Sequence, residues 1–220
     1  MSKLVWDQTS ERLYETGIEQ VALYPQVSGA YPAGVAWNGV TALNITPSGA
    51  EPTALYANNK KYLTLMSVEE LGGTIEAYTY PDEWAACDGS ASIADGVFIG
   101  QQVRSAFGLA AKTLIGNDTE NTKHGYKLHL IYGGSASPSE QSNASVNDTP
   151  EAKTMSWEFS TTPVAVEGFE PTSYICIDST KADKTKLAAL EAILYGSDDV
   201  EPRLPLPAEV KQLMSTGSAG

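Results

Sequence analysis

Thr154-Met155-Ser156-Trp157-Glu158-Phe159-Ser160 alternates strictly between large apolar and polar side chains. Successive side chains of an extended chain point to opposite faces. Met155, Trp157 and Phe159 therefore share a buried face, and Thr154, Ser156, Glu158 and Ser160 share a wet one. Working outward, comparable runs enriched in Tyr, Val, Thr and Ile occur at Gln20–Tyr24, Val35–Ile45, Tyr62–Met66, Thr74–Tyr80, Lys127–Tyr132 and Ser173–Ile177. These residue types suit a pleated, half-buried surface. Val97–Leu114 is too long for an ordinary strand. It reads as one long or bulged strand, as two with a bend near Gly108, or, because Ala is plentiful, as a helix over Gln101–Leu114. The reading is mainly β.

Helix signals gather near the C-terminus. Thr180-Lys181-Ala182-Asp183 resembles a capping box with Asp in place of Glu. Leu187, Leu190 and Leu194 recur at helical spacing, and Gly196 is a natural stop, which predicts a helix over Ala182–Tyr195. The strip Pro202-Arg203-Leu204-Pro205-Leu206-Pro207 excludes helix and central strand. A short final helix is predicted from Pro207 to Met214, followed by a frayed tail, Ser215–Gly220. Weaker helical turns are expected at Ser67–Leu71 and Pro81–Cys87. Ile45–Lys61 and Gly133–Thr149 carry loop composition. The first lies between two strands and contains the turn Asn58-Asn59, so it reads as an extended arm or hairpin. A single domain over 1–214 is expected.

Composition narrows the function. The 220 residues are 42% hydrophobic, enough for a core, and carry 14 Lys and Arg against 27 Asp and Glu, a net charge of −13. Such an acidic chain is a poor non-specific binder of duplex DNA, and a poor ligand for anionic membranes. No apolar run is long enough to span a bilayer. The first residues lack the pattern of a secretory signal, so synthesis in the cytoplasm is expected. Cys87 and Cys176 are accordingly expected as two buried thiols, with a disulfide as the alternative.

The residues that could carry chemistry are sparse. His124 and His129 have no cysteine or carboxylate at zinc-ligand spacing. The acidic pairs Glu69-Glu70, Asp82-Glu83 and Asp198-Asp199 hold adjacent carboxylates, whose side chains diverge. Asn117-Asp118-Thr119-Glu120 and Asn147-Asp148 do not follow a calcium-loop spacing. No nucleophile elbow, phosphate loop or dinucleotide fingerprint is present. A structural or binding protein without cofactor or metal is expected, rather than an enzyme.

Several segments carry a resemblance. Leu4-Val5-Trp6-Asp7-Gln8-Thr9, Arg12-Leu13-Tyr14-Glu15-Thr16-Gly17 and Tyr31-Pro32-Ala33-Gly34-Val35-Ala36-Trp37-Asn38-Gly39 open the pattern. Its most specific stretch is Gly73-Thr74-Ile75-Glu76-Ala77-Tyr78-Thr79-Tyr80-Pro81-Asp82-Glu83-Trp84 with Cys87-Asp88-Gly89. His124-Gly125-Tyr126-Lys127-Leu128-His129, the helix ending at Tyr195-Gly196, and the proline strip complete it. Together these resemble the major tail tube proteins of long, non-contractile-tailed (siphovirus-type) bacteriophages of Gram-positive hosts, from about Leu4 to Met214.

The resemblance implies a β-sandwich or barrel subunit with a flanking C-terminal α-helix. Subunits would close into hexameric rings, and the rings would stack into a virion tail tube assembled in the bacterial cytoplasm. Implied partners are further copies of the chain, the tape-measure, tail terminator and tail-tip proteins, and DNA that slides through the lumen unbound. No membrane is implied. An inter-subunit arm would involve Pro52, Leu55, Tyr56, Asn58 and Asn59. The inner sheet would draw on Val35–Ile45, Tyr62–Met66, Thr74–Tyr80 and Val97–Leu114. Glu76 would be the leading lumen carboxylate, with Asn44 its neutral neighbour. Arg104 and Lys112 would interrupt the repulsion unless carboxylates of the next subunit pair with them. The alternative is a monomeric β-sandwich binding module, an adhesin or carbohydrate binder, stacking sugar on Tyr14, Tyr24, Tyr31, Tyr56 and Tyr62.

Overall fold

A computed structural model describes residues 3–145 and 152–215. In chain order the elements are β1 (Tyr14–Pro25), β2 (Val35–Ala36), β3 (Val40–Gly49), β4 (Pro52–Ala57), β5 (Lys60–Met66) and β6 (Glu69–Ala77). Then come α1 (Trp84–Asp88), β7 (Ala91–Ala94), β8 (Val97–Ile99), β9 (Phe107–Asn117), β10 (Asn121–Ala136) and β11 (Met155–Thr161). The chain finishes with β12 (Val164–Val166), β13 (Phe169–Thr172), β14 (Tyr174–Asp178), α2 (Lys184–Tyr195) and α3 (Pro207–Ser215). The protein is mainly β, with helix concentrated at the C-terminus.

One antiparallel sheet runs β2-β1-β9-β10-β11-β6-β3, with β14 also paired to β10. The 16-residue β10 serves two partners. Its Lys127–Ile131 stretch pairs with β14, whereas Gly134–Ala136 pairs with β11. Gly133 lies at the fork with φ +61°, and a Cβ there would come 2.2 Å from the Thr162 carbonyl oxygen, so only glycine fits the bend. The fork folds the sheet into two layers. Leu23, Phe107, Leu109 and Ile131 from one layer pack with Ile75, Trp157 and Phe159 from the other. That is the packing of a β-sandwich.

Trp84 of α1 is fully buried between the layers. Its ring lies 4.7 Å from Trp37, 5.0 Å from Phe107 and 5.7 Å from Trp157. The Phe107 and Trp157 contacts are edge-to-face and the Trp37 contact is tilted, and such contacts add to the burial of large aromatic surface. The alternation of the 154–160 segment is reproduced: Trp157 and Phe159 are buried, while Ser156, Glu158 and Ser160 are exposed.

The opposite face of the first layer is covered by α2 and α3. Leu187, Leu190, Leu194 and Val210 pack on Ala22, Tyr24, Ala110, Leu128, Leu130 and Tyr132. Strands β9 and β10 are thus buried on both faces, which explains why their sequences alternate poorly. Tyr24 Oη donates to the Leu194 carbonyl oxygen at 2.7 Å, and Tyr132 Oη donates to that of Pro205 at 3.0 Å. These bonds tie the helical layer to the sheet.

Several local expectations are corrected. The Val97–Leu114 run is two strands, but they are separated by residues 100–106 rather than bent at Gly108. Ser67–Leu71 is no helical turn, because β6 begins at Glu69 and pairs with β3. Gly133–Ala136, expected as loop, completes β10. The helix α2 begins at Lys184 and is capped by Asp183, whose carboxylate accepts from the amides of Thr185 (2.9 Å) and Lys186 (3.0 Å). Thr180 instead hydrogen-bonds Asp178 in the preceding turn. Cys176 is exposed rather than buried, and Cys87 and Cys176 are both free thiols. Asn147-Asp148, residues 146–149 of the expected loop and residues 216–220 of the tail lie outside the described residues.

Candidate assembly surfaces

The expected arm is a two-stranded ribbon. β3 and β6 pair as far as Gly49 and Glu69; Glu51 and Ser67 then hydrogen-bond each other, and β4 and β5 continue from Pro52 opposite Met66. β11 accompanies β6 only to Gly72, so beyond that point the ribbon has two strands. Its junction is built by Gly49 (φ +83°) and Ala50 (φ 53°); a Cβ on Gly49 would meet the Val68 carbonyl oxygen at 2.3 Å. The tip is the two-residue loop Asn58-Asn59, with φ of 52° and 58°. Positive φ at both positions is what a type I′ turn requires, and asparagine tolerates it. From Pro52 to Ala57 the arm extends by roughly 20 Å at the usual rise of a strand.

Along this arm neither face is covered by the described residues. Leu55 pairs with Leu63, and Thr53 with Leu65, placing three leucines on one face. Tyr56 and Tyr62 are 71% and 73% exposed, and Leu65, Met66 and Val68 are more than half exposed. Every residue of β5 is exposed. An isolated two-stranded hairpin is marginal in water, and contiguous exposed apolar surface marks an interaction site. The expected arm residues Pro52, Leu55, Tyr56, Asn58 and Asn59 do lie together on this one hairpin. The sequence pattern alone ends the arm at Lys61 and puts Tyr62–Met66 in an inner sheet. That assignment is corrected: β5 is the returning strand of the arm and, among the described residues, pairs only with β4. The signal was present in the two-residue spacing around Asn58-Asn59.

The second surface is the outer face of β3, β6 and β11. Asn44 lies opposite Thr74, which lies opposite Glu158; Glu76 lies between Ala42 and Ser156. Directly paired residues share a face. Asn44, Thr74, Glu76, Ser156 and Glu158 therefore form one polar face, backed by Ile75 and Ala77 in the core. Asn44 Nδ2 donates to Thr74 Oγ1 at 3.0 Å. The predicted neighbours Asn44 and Glu76 are brought together here, and Glu158 is a further carboxylate of the same face. The expected inner-sheet grouping does not hold as a unit, because β9 is separated from β6 by β10 and β11.

Arg104 lies outside the strands, and Lys112 projects to the helical layer. Lys112 is 8% exposed and pairs within its own chain with Glu191 at 2.8 Å, its ammonium 4.4 Å from the Tyr126 ring centroid. It needs no carboxylate from another subunit.

A smaller hairpin, β7–β8, went unread in the sequence although its turn, Asp95-Gly96, is a hairpin signal. It too exposes apolar side chains, with Ile93 at 62% and Phe98 at 59%. Of the tyrosines considered for sugar stacking, Tyr24 of β1 and Tyr31, which bridges Leu204, are buried in the cluster beneath the helical layer. Tyr14 is 44% exposed and lies on β1, whereas Tyr56 and Tyr62 lie on the arm.

The residues that could carry chemistry have structural roles. His129 hydrogen-bonds Thr113 Oγ1 (2.7 Å) and Tyr174 Oη (2.6 Å), and burial holds its pKa below the ordinary histidine value. Burial, aided by Asp88, pushes the Cys87 thiol up to about 12. A thiol held protonated is a poor nucleophile. Among the described residues no three His, Cys, Asp or Glu side chains converge as metal ligands. No helix among them is long and apolar enough to cross a membrane. Compared with known proteins, the chain matches no family model and no curated protein.

Proposed function

We propose that this protein is a structural subunit that polymerises with copies of itself into a phage tail tube, as stacked hexameric rings through which DNA passes into the host. The observation that carries the reading is the β4–β5 arm, a two-stranded ribbon that presents leucines and tyrosines on faces its own chain leaves bare. Covering half-exposed side chains of this size contributes about 1 kcal/mol each, repeated at every copy. A head-to-tail contact between identical copies closes into a ring or propagates as a filament. The resemblance over Gly73–Trp84 supplies the kind of assembly.

Among the described residues the sheet ends at β2, β3 and β14, and a barrel shared between subunits would remove such edges. The outer face of β3, β6 and β11 is the lumen wall in this reading. Its carboxylates Glu76 and Glu158 repel phosphates, so DNA slides without being trapped. Tape-measure protein would occupy the lumen before DNA does, and terminator and tail-tip proteins would close the ends.

The test replaces residues 52–66 with an Asn-Gly turn. Glu51 and Ser67 already hydrogen-bond each other, so a two-residue turn can close the shortened ribbon. The variant is expected to stay folded and monomeric where the full chain assembles. Normal tubes from the variant would refute the arm's role.

A further inference from the structure

We infer that the tip of the β4–β5 arm docks into an acidic groove of a neighbouring copy, between the C-terminus of α2 and the β1–β2 edge, with Lys60-Lys61 set against Asp198-Asp199. This rests on the proposed self-assembly and names the surface that receives the arm.

The donor is defined by charge. In a chain of net charge −13, the segment from Pro52 to Met66 contains two lysines and no carboxylate. Lys60-Lys61 is the one place in the sequence where two Lys or Arg residues are adjacent, and the Asn58-Asn59 turn places it at the exposed tip. Among the described residues, neither lysine has an intramolecular ion pair.

The receptor is defined by charge and shape. Ser197 and Val200 bridge across a tight turn, which presents Asp198 and Asp199 as an exposed tip with Glu201 following. The nearest downstream base, Arg203, is already held by both carboxylate oxygens of Glu209 at 2.8 and 2.6 Å. Beside the turn lies a cavity of about 830 Å³ lined by Val21, Trp37, Lys112, Glu191, Tyr195 and Pro202. A smaller hollow of about 430 Å³ under the acidic turn shares Tyr195, Gly196 and Pro202 with it. The Tyr195 hydroxyl in this wall has no hydrogen-bond partner among the described residues.

A groove walled by Trp37, Tyr195 and Pro202 and flanked by the Asp198-Asp199 turn complements a ribbon that carries tyrosines behind two lysines. The other acidic pairs are worse placed. Glu69-Glu70 lies at the base of the arm itself, and Asp82-Glu83, ahead of α1, lines neither hollow.

Two experiments test the docking. Reversing the tip (Lys60→Glu with Lys61→Glu) or the turn (Asp198→Lys with Asp199→Lys) should each raise the concentration needed for assembly about tenfold or more. Combining both reversals should restore assembly. All four side chains are exposed, so unchanged melting curves would exclude misfolding. Independently, Asn59→Cys with Asp199→Cys, in a Cys176→Ser background, should give an inter-subunit disulfide under mild oxidation of assembled protein. Rescue and crosslinking support the docking. If the unaltered chain assembles but the reversals have no effect and no crosslink forms, the docking is overturned while self-assembly stands. Rescue only by reversing Asp82-Glu83 would overturn the assigned groove. If the unaltered chain never assembles, both readings fall.

Discussion

Leu55 of β4 lies directly across from Leu63 of β5, and neither is buried. Cross-strand leucines normally stabilise a sheet by turning a shared face to the core. Here that face is on a ribbon projecting from the sandwich, so its apolar surface serves something outside the monomer fold.

Replacing Leu55 and Leu63 with Asp should separate folding from assembly. Surface substitutions of this kind change stability by about 0.5 kcal/mol or less. Urea denaturation should therefore give a midpoint close to that of the unaltered chain, while sedimentation shows loss of oligomers. A large fall in the midpoint would mean that the arm packs on its own subunit.

The Lys112–Glu191 pair ties β9 to α2 and is largely screened from water. Lys112→Met leaves Glu191 without its cation and should destabilise by about 3 kcal/mol. Lys112→Met with Glu191→Leu should recover most of that loss. Both are read from chemical denaturation, and an additive double variant would show that the two residues act independently.

The polar alternation of β6 was legible in the sequence, and so were the arm's turn, α2 and the α3 start at Pro207. Each depends on chain-local physics: period two, positive φ at asparagine, period 3.6 and a proline at the first helical position. The boundary near residues 100–106 was not legible, because Gln102 and Arg104 can alternate in a strand as readily as they occupy a loop. The two-sided burial of β9 and β10 was equally hidden, since it depends on α2 folding back from more than 50 residues away. Tyr62–Met66 alternates as a core strand would, and only the fold shows that no second layer meets it.

Stability should fall on mild acidification through His129. Its pKa is lowered by burial, with Glu15 opposing and Lys127 reinforcing the shift, and Thr113, Tyr174 and Cys176 lie around it. The unfolded chain therefore takes up the proton first. This contribution is intact above the ordinary histidine value of about 6.5 and is lost as pH falls through the lower folded value. Glu209, held down by the Arg203 guanidinium, acts only below about pH 4.3, in a separate window. His129→Gln should flatten the pH dependence of the melting temperature between pH 6.5 and 5. An unchanged slope would remove His129 from the account.

Glu76→Lys tests the lumen wall. The residue sits on the outer face of β6, away from the core, so assembly should survive. One contact in water is worth only about 1 kcal/mol, but the change recurs in every subunit of every ring. DNA ejection from virions carrying the variant should slow or stall. Ejection at the normal rate would contradict the placement of this face.

The central claim is self-assembly, and electron microscopy of the purified full chain over a range of concentrations tests it most directly. The account predicts hollow rings or tubes whose wall is built from this 23.4 kDa subunit. A field of dispersed monomers at every concentration, unchanged by added tail components, would contradict it.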